Sequence, residues 1–259
     1  MNAIILYKLI SKLEKASSES ELRSICEQLC KSTEIPFYLM GVISHKSLCN
    51  PNFNIITNHN TESIKAFYNK NKLAIDPIIL KIMSQSSPVR WEKLLDNQPH
   101  KNKNFMQLVK DANELGLKNG LSIPFRSGKG EVGIMCLGVD NCTHASVKQL
   151  NKILPYAHTF SMHLFETFRS LLSIESVQEP ETELTNREKE CLFWVCEGKT
   201  TWEIAQILKI TERTVGFHLN NSATKLGACN RQHTVAIAIS KGLIQPKILD
   251  INIDIAASC

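Results

Sequence analysis

Long apolar runs are missing from this chain of 259 residues: no stretch approaches the ~18 residues that a membrane-crossing helix needs. The first fifteen residues instead space Leu6, Leu9, Ile10 and Leu13 as an amphipathic helix does, and no secretory leader is visible. The nine cysteines are odd in number and include no CxxC pair; only Cys26/Cys30 and Cys191/Cys196 lie close together. That scatter fits a reducing cytoplasm and lacks the ligand spacing of a structural zinc site, so neither metal nor cofactor is expected. Internal repeats and low-complexity segments are absent too, which removes solenoid and fibrous architectures from consideration. With 43% hydrophobic and 21% charged residues, the composition is that of a folded globular protein, and the length suits two domains.

The net charge of +5 is not gathered in one place. Lys and Arg outnumber Asp and Glu by 21 to 14 over residues 1–173 and by eight to five over 184–245, whereas 174–183 hold four Glu and no cation. Electrostatics alone therefore marks no polyanion-binding segment, and a claim of DNA binding has to come from pattern.

The clearest break is residues 176–183, an acidic, polar stretch with Pro180 between two apolar-periodic regions. It predicts a first domain over 1–173, a linker over 174–183, a second domain over 184–245 and a tail over 246–259. In the first domain, helical patterns at 3–15, 18–32, 61–70, 77–83 and 104–115 alternate with β-rich runs at 37–44, 120–124 and 132–139. A long helix over 145–172 follows. This order predicts an α+β domain, an antiparallel sheet covered by helices on both faces, with a hairpin turn at Ser127-Gly-Lys-Gly130.

Beyond the linker, Thr185-Asn-Arg-Glu188 and Thr200-Thr-Trp-Glu203 are capping boxes, each able to satisfy two orphan amides at a helix start. Gly198 stops the first helix, Thr211 caps a third that runs to about Leu226, and a fourth spans 231–241 before Gly242. Ile204, Ala205 and Leu208 on the second helix, with Val215, Leu219 and Leu226 on the third, are spaced to pack across one another. The prediction is an all-α, four-helix helix-turn-helix domain. Its third helix would enter the DNA major groove, exposing Arg213, Gly216, Phe217, Asn220 and Thr224. Asn220 suits a bidentate pair with adenine and Phe217 a thymine methyl; Lys199, Arg213 and Lys225 suit the backbone, beside the hydroxyls of Thr200 and Thr214. The plainer role for all of them is a solvated helix surface.

Read as a string, Leu184-Thr-x-Arg-Glu-x-Glu, Gly198-Lys-Thr, Glu203-Ile-Ala, Thr214-Val-x-Phe-His, Lys225-Leu-Gly and Gly242-Leu-Ile resemble the LuxR-type helix-turn-helix over about sixty residues. Glu188, Leu192 and Gly198 fall on the three most characteristic positions of that domain. Two residues depart from it: Gly216 replaces a lysine usual in the reading helix, and Ser222 replaces an apolar core residue. Most of residues 1–172 is similar to the autoinducer-binding domain of quorum-sensing LuxR proteins. The resemblance rests on Asp76-Pro77, on Trp91 in Pro88-Val-Arg-Trp91, and on Gly116-Leu-x-x-Gly120-x-Ser-Ile-Pro124. It implies that Asp76 accepts a hydrogen bond from the amide of an acyl-homoserine lactone and that Trp91 packs beside the signal. Asp76 also suits an N-cap ahead of Pro77, and the two roles can coexist.

Departures fall inside the implied pocket. Ser63 stands where the family has a tryptophan that donates to the lactone carbonyl, and Phe67 replaces a tyrosine, with Tyr68 beside it. Cys136 takes a polar position on the central strand and His59 another tyrosine position. The chain is thus identified as a ligand-responsive, DNA-binding transcription regulator of quorum-sensing type. The resemblance implies double-stranded DNA and an acyl-homoserine lactone or related small signal as partners, in a homodimer with no membrane association. The rival is a ligand-independent regulator of the same family with a non-lactone or filled pocket. An enzyme using Cys136 or Cys142 with His144 is not expected, since neighbours in sequence need not meet in the geometry a thiol nucleophile needs. In the tail, Asp250-x-Asn-x-Asp254 imitates the opening of a calcium loop without its glycine, and Leu249, Ile251, Ile253 and Ile255 alternate as in a short strand.

Overall fold

The computed structural model describes residues 1–47, 50–68, 76–96, 103–128, 130–175 and 183–244. The predicted tail at 246–259, with its strand and calcium-like pattern, lies outside the described residues. The chain divides into two compact units, one of Met1–Ser127 with Glu131–Glu179, the other built on Pro180–Cys259. No helix among the described residues is long and apolar enough to cross a membrane.

The first unit begins with α1 (Ala3–Leu13) and α2 (Glu19–Thr33), the latter capped by Ser18, whose hydroxyl accepts from the Glu21 amide. β1 (Phe37–Ser47) and β2 (Asn50–Thr57) follow, then α3 (Thr61–Phe67), α4 (Pro77–Ser84), β3 (Val89–Arg90), α5 (Trp91–Asp96) and α6 (Lys103–Glu114). β4 (Asn119–Arg126), β5 (Val132–Val139) and the long α7 (His144–Glu175) complete it. The five strands run in the order β2-β1-β5-β4-β3 with every neighbouring pair antiparallel.

Period-two alternation gives this sheet two apolar faces. Tyr38, Met40 and Val42 of β1, Leu121, Ile123 and Phe125 of β4, and Met135, Leu137 and Val139 of β5 join residues of α1, α2 and α7 in the larger core. Their neighbours Leu39, Ile134 and Cys136 face the other way, into a second cluster with Ile64 of α3, Ile79 and Ile82 of α4, and Trp91. Helices therefore cover both faces. The turn between β4 and β5 closes with the Ser127 amide on the Glu131 carbonyl at 3.0 Å.

Three elements were not legible as such. β2 carries Asn50, Pro51, Asn52 and Asn54, residues that argue for a turn, yet it forms an edge strand, where a proline without an N–H costs no ladder bond. β3 and α5, of two and six residues, are too short to show a period. At the other end α7 continues to Glu175, two residues into the predicted linker, because residues 173–175 hold neither glycine nor proline to stop it.

The second unit contains α8 (Asn186–Cys196), α9 (Thr201–Leu208), α10 (Glu212–Leu226) and α11 (Arg231–Ser240). Both predicted capping boxes are present in full, Thr185 with Glu188 and Thr200 with Glu203. Thr211 caps α10 and Gly227, at φ 63°, ends it in the left-handed conformation that glycine adopts without strain. Cys191, Ile204, Ala205 and Val215 form one small core, and Leu184, Leu192 and Ala238 another.

Candidate signal pocket and DNA-reading helix

Between the second face of the sheet and the helices over it lies a cavity of about 70 Å3 that opens to solvent. Its wall is mostly apolar: Leu39, Phe67, Ile78, Trp91, Leu94, Leu108, Val109 and Leu117 contribute. Six of the eight pocket residues expected from sequence lie on it: Asp76, Trp91, Phe67, Tyr68, His59 and Cys136.

Asp76 is only 2% exposed. Its carboxylate caps α4 by accepting from the Ile78 amide at 2.8 Å, with Pro77 in the first helical position. Burial pushes this carboxyl up from 3.8 to about 6, against the amides of Ile78 and Ile79, which pull it down. Desolvation thus outweighs the cap, and an ionised Asp76 in the unliganded cavity is a costly charge. Tyr68, packed edge-on against Phe67 and Phe53 at 4.9 and 5.7 Å between ring centroids, has its phenol pushed well up by burial and then by the nearby Cys136 and Asp76.

Trp91 lies over two glycines that face each other across β4 and β5, Gly120 opposite Gly138. A Cβ on Gly120 would stand 2.9 Å from the indole ring and 2.5 Å from the Leu137 carbonyl, and one on Gly138 would stand 3.4 Å from the ring. Gly120 therefore shapes the pocket by seating Trp91, and is not part of the cavity wall. The indole N–H donates to the Ser122 hydroxyl at 2.9 Å, and that hydroxyl is 3.1 Å from the Cys136 sulfur. Burial pushes the Cys136 thiol up to about 12, the opposite of what a nucleophile needs.

Ser63 departs from expectation. It is not part of the cavity wall; its hydroxyl donates to Asn60, the cap of α3, at 3.3 Å. A short side chain in the first turn of a helix finds the cap oxygen beside it and does not reach across to a ligand. His59 has the more telling geometry. Its ring stacks on Phe37 at 4.5 Å, its backbone amide donates to the Thr57 hydroxyl, and its buried Nε2 has no hydrogen-bond partner. Burial lowers the imidazole's pKa, which holds it neutral. Sequence reasoning missed Asn113, Lys118 and the apolar side chains of α6 on this wall, because an amphipathic helix announces that one face is buried but not which partner it meets.

In the second unit α10 exposes Arg213, Phe217, Asn220 and Thr224, spaced so that they fall along one side of the helix. Phe217 is 60% exposed, a large apolar side chain left in solvent. Gly216 has open space around it, so no close packing demands a glycine there. Ser222, at an expected hydrocarbon position, is fully buried and donates to the His218 carbonyl one turn back at 2.8 Å, so its hydroxyl is satisfied inside the helix. Lys199 and Thr200 precede α9, with the Thr200 hydroxyl 2.8 Å from the Glu203 carboxylate, and the Thr214 hydroxyl lies 2.8 Å from that of Thr211.

Lys225 departs from the phosphate-contacting role expected of it. Its ammonium lies 2.8 Å from the Glu188 carboxylate and donates to the Glu183 carbonyl at 3.2 Å. Glu188 is almost fully buried; burial pushes its carboxyl up, but the Lys225 ammonium and the Thr185 amide outweigh that and hold it below the usual range. A buried carboxylate needs a counter-charge, and Lys225 supplies it.

Residues 18–168 match the family model of the autoinducer binding domain, and residues 182–238 match that of the bacterial regulatory proteins of the luxR family. The transcriptional activator AhyR of Aeromonas hydrophila is 31% identical over 245 residues, 93% of this chain and 94% of that protein. LuxR of Aliivibrio fischeri is 28% identical over 251 residues, 94% of this chain and 96% of its own. Among solved structures, SdiA of Escherichia coli superposes with a TM-score of 0.73 at 24% identity, over 93% of this chain and 98% of that one. SdiA in complex with octanoyl-rac-glycerol gives 0.72 at 25%, over 93% and 96%. Two matched domains in this order, with near full-length likeness to AhyR, show that the chain belongs to the LuxR family of bacterial transcription regulators, as a member with an autoinducer-binding domain ahead of its helix-turn-helix.

Proposed function

We propose that residues 1–173 hold a small acyl signal, an acyl-homoserine lactone or a related molecule, and that residues 184–245 bind operator DNA as part of a cytoplasmic homodimer, with 174–183 as the linker. The observation that carries this reading is the buried Asp76 carboxylate set in the wall of an apolar cavity. An amide N–H or hydroxyl of a ligand would give that carboxylate a further donor beside the Ile78 amide, while an acyl chain covers the apolar wall. His59 Nε2 and the Tyr68 phenol are further polar anchors, and Phe67, Trp91 and Cys136 contribute surface. SdiA, a structural neighbour, has been solved with octanoyl-rac-glycerol, and the cavity here suits an acyl chain of that kind.

On the DNA side we assign Phe217 and Asn220 to the bases and Lys199, Thr200, Arg213, Thr214 and Thr224 to the backbone, with Gly216 letting the helix approach closely. Lys225 is a support for α8 and α10. Ligand burial against Asp76 would complete the second core of the sensor unit and shift the population toward the DNA-binding dimer. No catalytic step is assigned: the cavity's thiol is held protonated. The rival reading, a pocket filled by the protein's own side chains, is disfavoured by the open cavity.

The test is a pair of measurements on the full chain. Promoter DNA should be retarded in a salt-dependent manner. N-octanoyl homoserine lactone or 1-octanoylglycerol should raise the melting temperature of the wild type and not of Asp76→Ala. An equal rise in that variant removes Asp76 from the site; no sequence preference at any salt removes the DNA-binding assignment.

A further inference from the structure

The helix that carries Asp76 is held at its far end by a residue outside the pocket. Arg126, the last residue of β4, donates through one guanidinium nitrogen to the carbonyls of Ile82 at 3.1 Å and Met83 at 2.7 Å, in the final turn of α4. A helix ends with four carbonyls that have no partner within it, and cations at that end also oppose the negative pole of its dipole. Lys81 meets its share locally, from the Gln85 amide and the Ser84 hydroxyl. The next two carbonyls depend on Arg126.

At the opposite end Asp76 is both the cap and the cavity's carboxylate. α4 has only eight residues, about 12 Å of axial rise, and its buried Ile79 and Ile82 lie on the second core. A rod this short has no interior that could absorb a displacement of one end. We infer that Arg126 is a positioning residue for signal binding: by pinning the C-terminal turn of α4 to the sheet, it sets where the Asp76 carboxylate stands in the cavity. This rests on the reading of Asp76 as the ligand's anchor. Arg126 itself is not part of the cavity wall, so any effect of its loss on ligand affinity has to travel through the helix.

The experiment uses the full chain with Arg126→Met and Arg126→Lys, N-octanoyl homoserine lactone and 1-octanoylglycerol as probes, and the ligand-induced melting shift and affinity followed from pH 5 to 8. Both contacts come from a single nitrogen, so a lysine can replace one of them. Arg126→Met should weaken affinity about tenfold, in line with losing a charge-assisted hydrogen bond, and move the midpoint of the pH profile set by Asp76; Arg126→Lys should recover most of both. If Arg126→Met lowers the melting temperature equally with and without ligand and leaves affinity and pH midpoint unchanged, Arg126 is only a structural cap and the inference falls. A wild type that responds to neither probe overturns the pocket reading itself, and this inference with it. Because Asp76→Ala should bind nothing while Arg126→Met still binds weakly, the two failures are distinguishable.

Discussion

Replacing Asp76 by asparagine should make the unliganded protein more stable. The carboxyl titrates near 6 in the folded state, against 3.8 for an unburied aspartate. Between those values the folded chain keeps a proton that the unfolded chain has released, so Asp76's contribution to stability declines as pH rises, and the full penalty of a buried charge is present above the folded value. A difference of about two pKa units corresponds to roughly 3 kcal/mol at pH 7.5, shrinking to about 1.6 kcal/mol at pH 5 and about 0.5 kcal/mol at pH 4. Asparagine has nearly the same volume and caps helices as well as aspartate, so the Ile78 amide keeps its acceptor. The assay is urea denaturation of the full chain in a Trp194→Phe/Trp202→Phe background. Trp91 then reports alone, since the sequence has three tryptophans and the other two lie in the second unit. Asp76→Asn should be the more stable protein at pH 7.5, with an advantage that fades as the pH falls. An equal or lower stability at pH 7.5, or a difference that does not change with pH, would refute the picture of an unrelieved buried carboxylate.

Three further outcomes follow from the same geometry. Lys225→Met leaves Glu188 buried without its counter-ion, which should destabilise the second unit by about 2 to 4 kcal/mol in thermal melts, toward the low side of a fully buried pair because the lysine is partly exposed. The slope of DNA affinity against salt should meanwhile stay the same; a slope reduced by about one would return Lys225 to the phosphate contacts. Gly216→Ala places a methyl group in open space within a helix and should stabilise that unit by about 1 kcal/mol, and a loss of stability would show that the glycine has a packing role. His59→Phe keeps a ring to stack on Phe37 and removes the unpartnered Nε2, so melting of the unliganded protein should rise by an equivalent of about 1 kcal/mol while affinity for an acyl ligand falls. Unchanged affinity would mean that His59 only fills the wall.

Local chemistry explains what could be read in advance. Thr185 with Glu188 and Thr200 with Glu203 are contacts three residues apart, so the capping boxes, and with them the starts of α8 and α9, are visible without tertiary information. The near-continuous apolar runs of β1 and β5 likewise mark strands buried on both faces, and Pro180 with its acidic neighbours marks the break between units. The edge strand β2 escaped because its stability comes from pairing with β1, register by register, and not from its own asparagine-rich composition.

The pocket and the reading helix divide in the same way. Sequence by itself determined the two units and the family, and it singled out Asp76, Trp91 and Phe217 as candidates, since each sits in a short motif whose meaning is local. Tertiary structure alone decided which side chains are already engaged. Lys225 crosses 37 residues of chain to reach Glu188, Trp91 finds its bed on Gly120 and Gly138, and Arg126 reaches back 43 residues to the end of α4. A hydrogen-bonding group is available to a ligand only if no partner elsewhere in the fold has claimed it. Partners distant along the chain are set by how the elements pack, which no single stretch of residues records.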